Sequence, residues 1–225
     1  MGAKRSSTLA DPGQSIARTI SVRAIFMFHV EHLRRAVEYT GHVLTPEQLD
    51  RFERFRGWLI TEAVSAGGIG PAEVDRVETR HLADSVLFAS QFGGGGSIWD
   101  LGSGVGLPGI PLAILLPDSE VTLVDRSGRR VDLMRRALRI LGLDNCRVEQ
   151  TDIRRLRGEV DVIVSRAGLP PGPLREVVLR HLGPGGVAVA AGSWRERPEH
   201  PGWTTIEISR DVLDHTVWLL MIRRQ

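Results

Sequence analysis

The residues whose types and spacing suggest chemistry are three aspartates, one arginine and a run of alternate glycines. Asp100, Gly102, Gly104 and Gly106 fall at alternate positions between Ile98 and Ala113. Glycines so placed let a chain turn sharply and approach a ligand with no Cβ in the way. A helix expected from about Leu107 adds free N–H groups and a positive dipole end. Together these are the parts of a cradle for a nucleotide-like cofactor. Asp125 ends the next apolar run, where an acid commonly accepts hydrogen bonds from ribose hydroxyls. Asp152 follows the third such run and suits either of two roles, accepting from an adenine amino group or capping a short turn. Ser103 inside the loop and Arg126 directly after Asp125 complete the cofactor set expected from position.

The glycine run fits two registers. Gly104-x-Gly106-x-x-Gly109 has dinucleotide spacing, which alone is weak. Asp100-x-Gly102-x-Gly104-x-Gly106 has the spacing of the S-adenosylmethionine (AdoMet) loop. The first strand is complete by Leu101, so the turn must use Gly102 to Gly106, and this favours AdoMet. Asp100 then stands where an acid can face the cationic methionine end.

Positioning these residues requires alternating elements. Strands are expected at 98–101, 120–125, 146–150, 160–165 and 187–191, with helices at about 107–116, 128–141 and 171–182. Pro184-Gly185-Gly186 reads as a turn, and two last strands, near 203–209 and 214–222, read as a hairpin with no helix between them. The pattern predicts an α/β, Rossmann-like fold: a doubly wound, mostly parallel sheet with an antiparallel edge hairpin. Ahead of it, Thr45-Pro46-Glu47 opens a helix, and another helix is expected over 72–91. The organisation predicted is a tail over 1–26, with Met27 as an alternative start, a helical extension over 27–92, and a cofactor domain over 93–225.

The 225 residues, 42% hydrophobic and 25% charged, suit a globular chain with a substantial core. No apolar run approaches the roughly 20 residues of a membrane helix. Lys4 and Arg5 precede no apolar segment, so a cytoplasmic location is expected. The lone Cys146 lacks metal-ligand spacing and reads as a core filler, and no metal is expected. From Arg126 to Arg157 there are 10 Arg against 4 acids. Such a stripe can attract a polyanion or can be a solvated face in an Arg-biased chain.

Longer motifs carry a resemblance. Arg80-His81-Leu82-x-Asp84-Ser85, the Pro108-Gly109-Ile110-Pro111-Leu112-Ala113 tail of the loop, Leu123-x-Asp125-x-x-Gly128-x-Arg130 and Asp161-x-x-x-Ser165-Arg166-Ala167 occur in one order. In these the chain resembles the bacterial small-subunit ribosomal RNA guanine-N7 methyltransferases, the glucose-inhibited division protein B family. The resemblance implies AdoMet as cofactor, with contacts at Gly102, Leu107, Ile153, Arg154 and Arg166. It implies ribosomal RNA or the small subunit as partner; a monomer is expected. It also implies that Arg166 orients the target base or its phosphate, and that His81 and Asp84 face the loop. Two positions depart from the family: Asp152-Ile153-Arg154-Arg155 replaces an Arg followed by an acidic pair, and Ala191-Gly192 replaces Lys-Gly. These leave room for another RNA or a small-molecule acceptor in the same lineage, or for a non-catalytic ribosome-binding module. Guanine N7 carries a lone pair at neutral pH, so no general base is expected. Arg129, Arg130, Arg155, Arg195 and Trp194 are the candidates for RNA contact. Replacing several arginines of the stripe should reduce RNA methylation and steepen no loss of AdoMet affinity, with a shallower salt dependence of RNA binding. An equal fall in AdoMet affinity would mark the stripe as structural.

Overall fold

Seven strands form one mixed sheet, described with its helices in a computed structural model over residues 31–192 and 196–225. The proposed tail, and Met27 as a start, lie outside the described residues. The strands are β1 (Ser97–Leu101), β2 (Glu120–Asp125), β3 (Cys146–Gln150), β4 (Val160–Ser165), β5 (Leu182–Ala191), β6 (Thr204–Ile208) and β7 (Val217–Arg223). Their order is β3-β2-β1-β4-β5-β7-β6. The first five run parallel, and β7 is antiparallel to both β5 and β6. Strand order reverses between β1 and β4, which opens a crevice beyond their carboxyl ends.

Both sheet faces are covered, so the central strands are apolar on both sides. On one face, Ile98, Leu123 and Val164 pack with α4 (Gly109–Leu115), α5 (Gly128–Leu141) and the N-terminal helices. On the other, Leu101, Val124 and Ile163 pack with Leu174, Val177 and Val178 of α6 (Pro171–His181). The N-terminal helices are α1 (31–39), α2 (Pro46–Trp58) and the one-turn α3 (Asp84–Val86). Leu33, Phe52, Phe55 and Leu59 share the apolar cluster of Ile98 and Ile114, so the extension and the sheet bury one continuous core.

The start of α2 is tied to the far end of α4, the helix that follows the glycine loop. Thr45 and Gln48 form a reciprocal capping box, with Gln48 N donating to Thr45 Oγ1 at 3.2 Å and Thr45 N donating to Gln48 Oε1 at 3.0 Å. Gln48 Nε2 also donates to the carbonyls of Ile114 and Leu115, at 2.9 and 3.1 Å. These are orphan acceptors at the end of α4, which otherwise would be buried unpaired.

Three local readings change. The helix expected over 72–91 is a 3-10 segment (Pro71–Arg76), a wider π segment (Val77–Ala83), α3, and a second 3-10 segment (Leu87–Gln91). This uneven winding buries Val77, Leu82, Ala83, Val86 and Leu87 together while Arg80, His81 and Asp84 border a cavity. Pro184 to Gly186 is no turn before a strand; it is an irregularity within β5, where the register against β4 shifts. Main-chain pairing with Arg224 at Gly185 and Gly186 holds it in the sheet. A short helix, α7 (Arg210–Leu213), lies between β6 and β7; Ser209 caps it and Asp214, with φ 63, closes it.

Gln48→Ala should destabilise the fold by about 2–4 kcal/mol, because it removes a cap and strands two buried carbonyls. Thr45→Ala should cost about 1 kcal/mol. Equilibrium denaturation would measure both, and equal losses would show that the α4 contacts contribute little.

Candidate functional site

The segment between β1 and α4 is built by three glycines that all lie in the left-handed region, Gly102 at φ 74, Gly104 at φ 62 and Gly106 at φ 91. Gly102 N and Ser103 N donate to Val124 O, pinning the loop to the end of β2. A Cβ on Gly102 would collide with Gly168 Cα, and one on Gly168 with Leu101 O. The loops after β1 and β4 therefore touch backbone to backbone. Helix α4 begins at Gly109 rather than near Leu107. Gly109 belonged to the competing dinucleotide register, and its role here is close approach: a Cβ would meet Asp100 Oδ2 at 2.7 Å and fall on Leu123.

Asp100 has no exposed surface. Its Oδ2 accepts from Gly109 N at 2.9 Å, while Oδ1 has no hydrogen-bond partner. Burial pushes its pKa up to about 7, against the pull of the Gly109 N–H, Ser103 and Arg166. Ser103 Oγ donates to Asp100 O at 2.8 Å. Asp125 ends β2 as expected, and it also ties the loop: Oδ2 accepts from Gly104 N at 3.1 Å, Oδ1 accepts from Ser127 N at 2.9 Å, and Arg130 lies 3.6 Å away.

Two hollows lie at the carboxyl edge of the sheet. The first, about 320 Å³, is lined by Gly102, Asp125, Arg126, Asp152, Ile153 and Arg154, and closed by Ala167 to Leu169. It thus gathers six residues expected to hold the cofactor. Asp152 also caps the 3-10 turn Ile153–Arg155, accepting from Arg154 N at 2.9 Å, so both of its readings have a place here. Leu107 is buried in the main core, and Ser103 is buried beside Asp100; neither side chain lines this hollow.

The second hollow, about 410 Å³, lies between the N-terminal extension and the ends of β4, β5 and β7. Arg166 faces this one, and not the cleft with Asp125. Its Nη1 donates to Arg80 O at 3.4 Å; burial lowers its pKa, opposed by Asp84, Asp100 and Glu73. Ser165, the first residue of the Ser-Arg-Ala motif, joins the β4 and β1 loops, since its Oγ donates to Leu101 O at 2.8 Å and accepts from Gly168 N at 3.3 Å. His81 and Asp84 line the same hollow. Burial, reinforced by Arg166, lowers the His81 pKa to about 4, so the ring is neutral at pH 7 and its 3.6 Å approach to Glu73 is not an ion pair there. Asp84 Oδ1 lies 3.0 Å from His215 Nε2.

Sequence reasoning passed over Glu73 and Trp218, which also line the second hollow. Glu73 falls at the start of the helix expected over 72–91, and Trp218 within the last expected strand. Only the insertion of β7 next to β5 puts the indole beside Ala191 and Gly192. Of the RNA candidates, Arg129 and Arg155 are exposed and Arg130 is held near Asp125, while Trp194 and Arg195 lie outside the described residues. In the basic stripe Arg135, Arg136 and Arg147 pair with Asp132, Glu62 and Glu120. Arg126, Arg129, Arg139, Arg154 and Arg155 are exposed without a carboxylate partner among the described residues.

A family model, described as GidB, rRNA small subunit methyltransferase G, matches residues 48–200. The chain belongs to this family. A relative from Mycobacterium sp. (strain KMS), a ribosomal RNA small subunit methyltransferase G, is 38% identical over 132 residues, 57% of this chain and 59% of its own length. The chain therefore spans less than two thirds of that relative. One of the same name from Corynebacterium efficiens is 32% identical over 196 residues, covering 80% of this chain and 84% of that protein. Among solved structures, an S-adenosyl-L-methionine-dependent methyltransferase from Methanococcus maripaludis aligns with TM-score 0.51 and 16% identity, over 68% of this chain and 91% of that one. The cyclase SpnF aligns with TM-score 0.50 and 17% identity, over 63% and 80%. The fold is that of the AdoMet-dependent methyltransferases, and its sharing with a cyclase shows that fold alone does not name a reaction.

Asp100 gives a pH prediction. The folded chain keeps its proton up to about pH 7, whereas the unfolded chain releases it near 3.8. Between these values the unfolded state binds fewer protons, so stability falls as pH rises. Asp100→Asn, which can still accept from Gly109, should melt higher than the native chain at pH 8 and show a smaller loss between pH 5 and pH 8. Parallel melting curves for the two proteins would refute the buried-proton account.

Proposed function

We propose that this chain is an AdoMet-dependent enzyme that methylates N7 of a guanine in small-subunit ribosomal RNA, working as a cytoplasmic monomer on the RNA or the subunit. One observation carries the reading beyond family membership. The three consecutive residues Arg166, Ala167 and Gly168 line both hollows, the arginine on one side and the next two on the other. Donor and acceptor compartments that adjoin at one loop are near enough for a direct transfer past its edge.

The residues present fit AdoMet. The buried Asp100 Oδ1 lacks a partner and suits the methionine ammonium. The Gly102–Gly168 contact leaves a cradle that a side chain would fill. Asp125 keeps lone pairs for ribose hydroxyls, the free Asp152 oxygen suits an adenine amino group, and Ile153 and Leu169 supply apolar walls. When bound, AdoMet supplies a methyl group on a sulfonium, an electrophile that needs no activation.

The chain's task is then positioning and electrostatics. Arg166 donates to a carbonyl or phosphate oxygen of the acceptor and fixes the base against the shared wall. His81, neutral at pH 7, is a weak base and is not needed to remove a proton, because the N7 lone pair is already free. The exposed arginines of the stripe hold phosphates.

Nucleosides of small-subunit RNA, compared by mass spectrometry with and without the gene, should show one 7-methylguanosine lost with the gene, and purified enzyme with AdoMet should restore it. Unchanged 7-methylguanosine would overturn the acceptor assignment. Absence of calorimetric AdoMet binding would overturn the cofactor assignment independently.

A further inference from the structure

The second hollow contains groups that the proposed transfer does not use. His81 is largely buried, yet neither ring nitrogen has a hydrogen-bond partner. Glu73 Oε1 is engaged by Arg76 at 3.3 Å, while its Oε2 lies 3.6 Å from the neutral His81 ring. The half-buried indole of Trp218 lies on the same wall as Gly192, and Phe88 adds a second aromatic surface. A buried imidazole with both nitrogens unmatched lacks a partner that a ligand can supply.

We infer that this hollow holds a flipped-out guanine by its Watson–Crick edge, with Glu73 and His81 accepting from N1–H and the exocyclic amine while Trp218 stacks on the ring. The inference rests on the guanine-N7 reading above. N7 and O6 form one edge of the purine, and O6, N1 and N2 form the adjacent one, so the two edges meet at O6. A base with N7 directed at the shared wall and O6 at Arg166 turns its N1 and N2 edge toward the N-terminal extension, where Glu73 and His81 stand. That edge offers N1–H and the exocyclic amine as donors, and the wall offers Glu73 Oε2 and one imidazole nitrogen as acceptors. Adenine would place an acceptor, N1, against the carboxylate and is disfavoured. Burial and Arg166 keep His81 unprotonated, and so able to accept.

The carboxylate also acts on the reaction. As the N7–carbon bond forms and the carbon–sulfur bond breaks, its electron pair goes to sulfur, and the positive charge passes from sulfur to the purine. N1–H becomes a stronger donor, so a carboxylate on it stabilises the transition state more than the bound substrate. Glu73 is thus both a specificity residue and a catalytic one.

The test compares the native chain with Glu73→Gln, using small subunits from a strain lacking the gene. The expected result is a fall in kcat of about 10- to 1000-fold, with AdoMet affinity and melting temperature unchanged. In competition assays, guanosine monophosphate should inhibit the native chain better than inosine monophosphate, which lacks the exocyclic amine, and the variant should lose that preference. Trp218→Leu should raise KM, with Trp218→Phe recovering most of it. A Glu73→Gln enzyme as fast as native, equal inhibition of the native chain by the two nucleotides, or a matching fall in AdoMet affinity would each overturn the inference. A native chain that makes no 7-methylguanosine would instead overturn the reading on which it rests.

Discussion

A carboxylate without access to water, Asp100, accepts one backbone N–H from Gly109 and leaves its other oxygen unmatched. That single bond sets the distance between the end of β1 and the start of α4, and hence the span the glycine loop must cover. It requires Gly109 to have no side chain, since a Cβ there would meet both Asp100 and Leu123 of β2, and the loop between Asp100 and Gly109 turns through three glycines at positive φ. Burying a carboxyl group with half its hydrogen bonds made is costly. A cationic ligand group at Oδ1 would recover part of that cost, so the strain and the proposed affinity have one source.

The second constraint is the contact between the loops after β1 and β4. Gly102 and Gly168 meet backbone to backbone, and the Ser165 hydroxyl links Leu101 O to Gly168 N. Because β1 and β4 are the neighbours where strand order reverses, this contact occurs where the crevice opens. It also turns the chain so that Arg166 faces the hollow under the N-terminal extension while Ala167 and Gly168 face the cleft. The extension is itself held at both ends. Gln48 caps α4, and the turn before β7 meets α1 through Asp214, with Arg35 and His32, and meets α3 through His215 and Asp84. Arg35, followed by His32, holds the Asp214 carboxyl down at about 2, so this clasp keeps its charge through the neutral range.

Much of the core domain was legible in the residues. The bounds of the helix over 128–141 and of the strands over 120–125, 146–150 and 160–165 are those of α5, β2, β3 and β4, because local propensity and apolar spacing agree there, reinforced in β2 and β4 by burial on both faces. The extension was less legible. From 72 to 91 the helical spacing is real, but the winding is set by what Leu82, Ala83, Val86 and Leu87 must reach in the core, and local pattern cannot state that. The Pro184-Gly185-Gly186 segment reads as a turn in isolation, yet pairing with Arg224 from far along the chain keeps it in β5.

The sequence by itself determined the loop glycines, the acids at the ends of β1 and β2 and after β3, the α/β order and the family, since each depends on spacing within a short stretch. Only the tertiary structure decided which groups share a compartment. Asp100 as a half-paired buried acid, Arg166 on the far side of the wall from Asp125, and Glu73, His81 and Trp218 around one hollow all follow from strand order and from where the extension docks. Those are long-range packing choices, and no local signal in the chain encodes the surfaces that come to face each other.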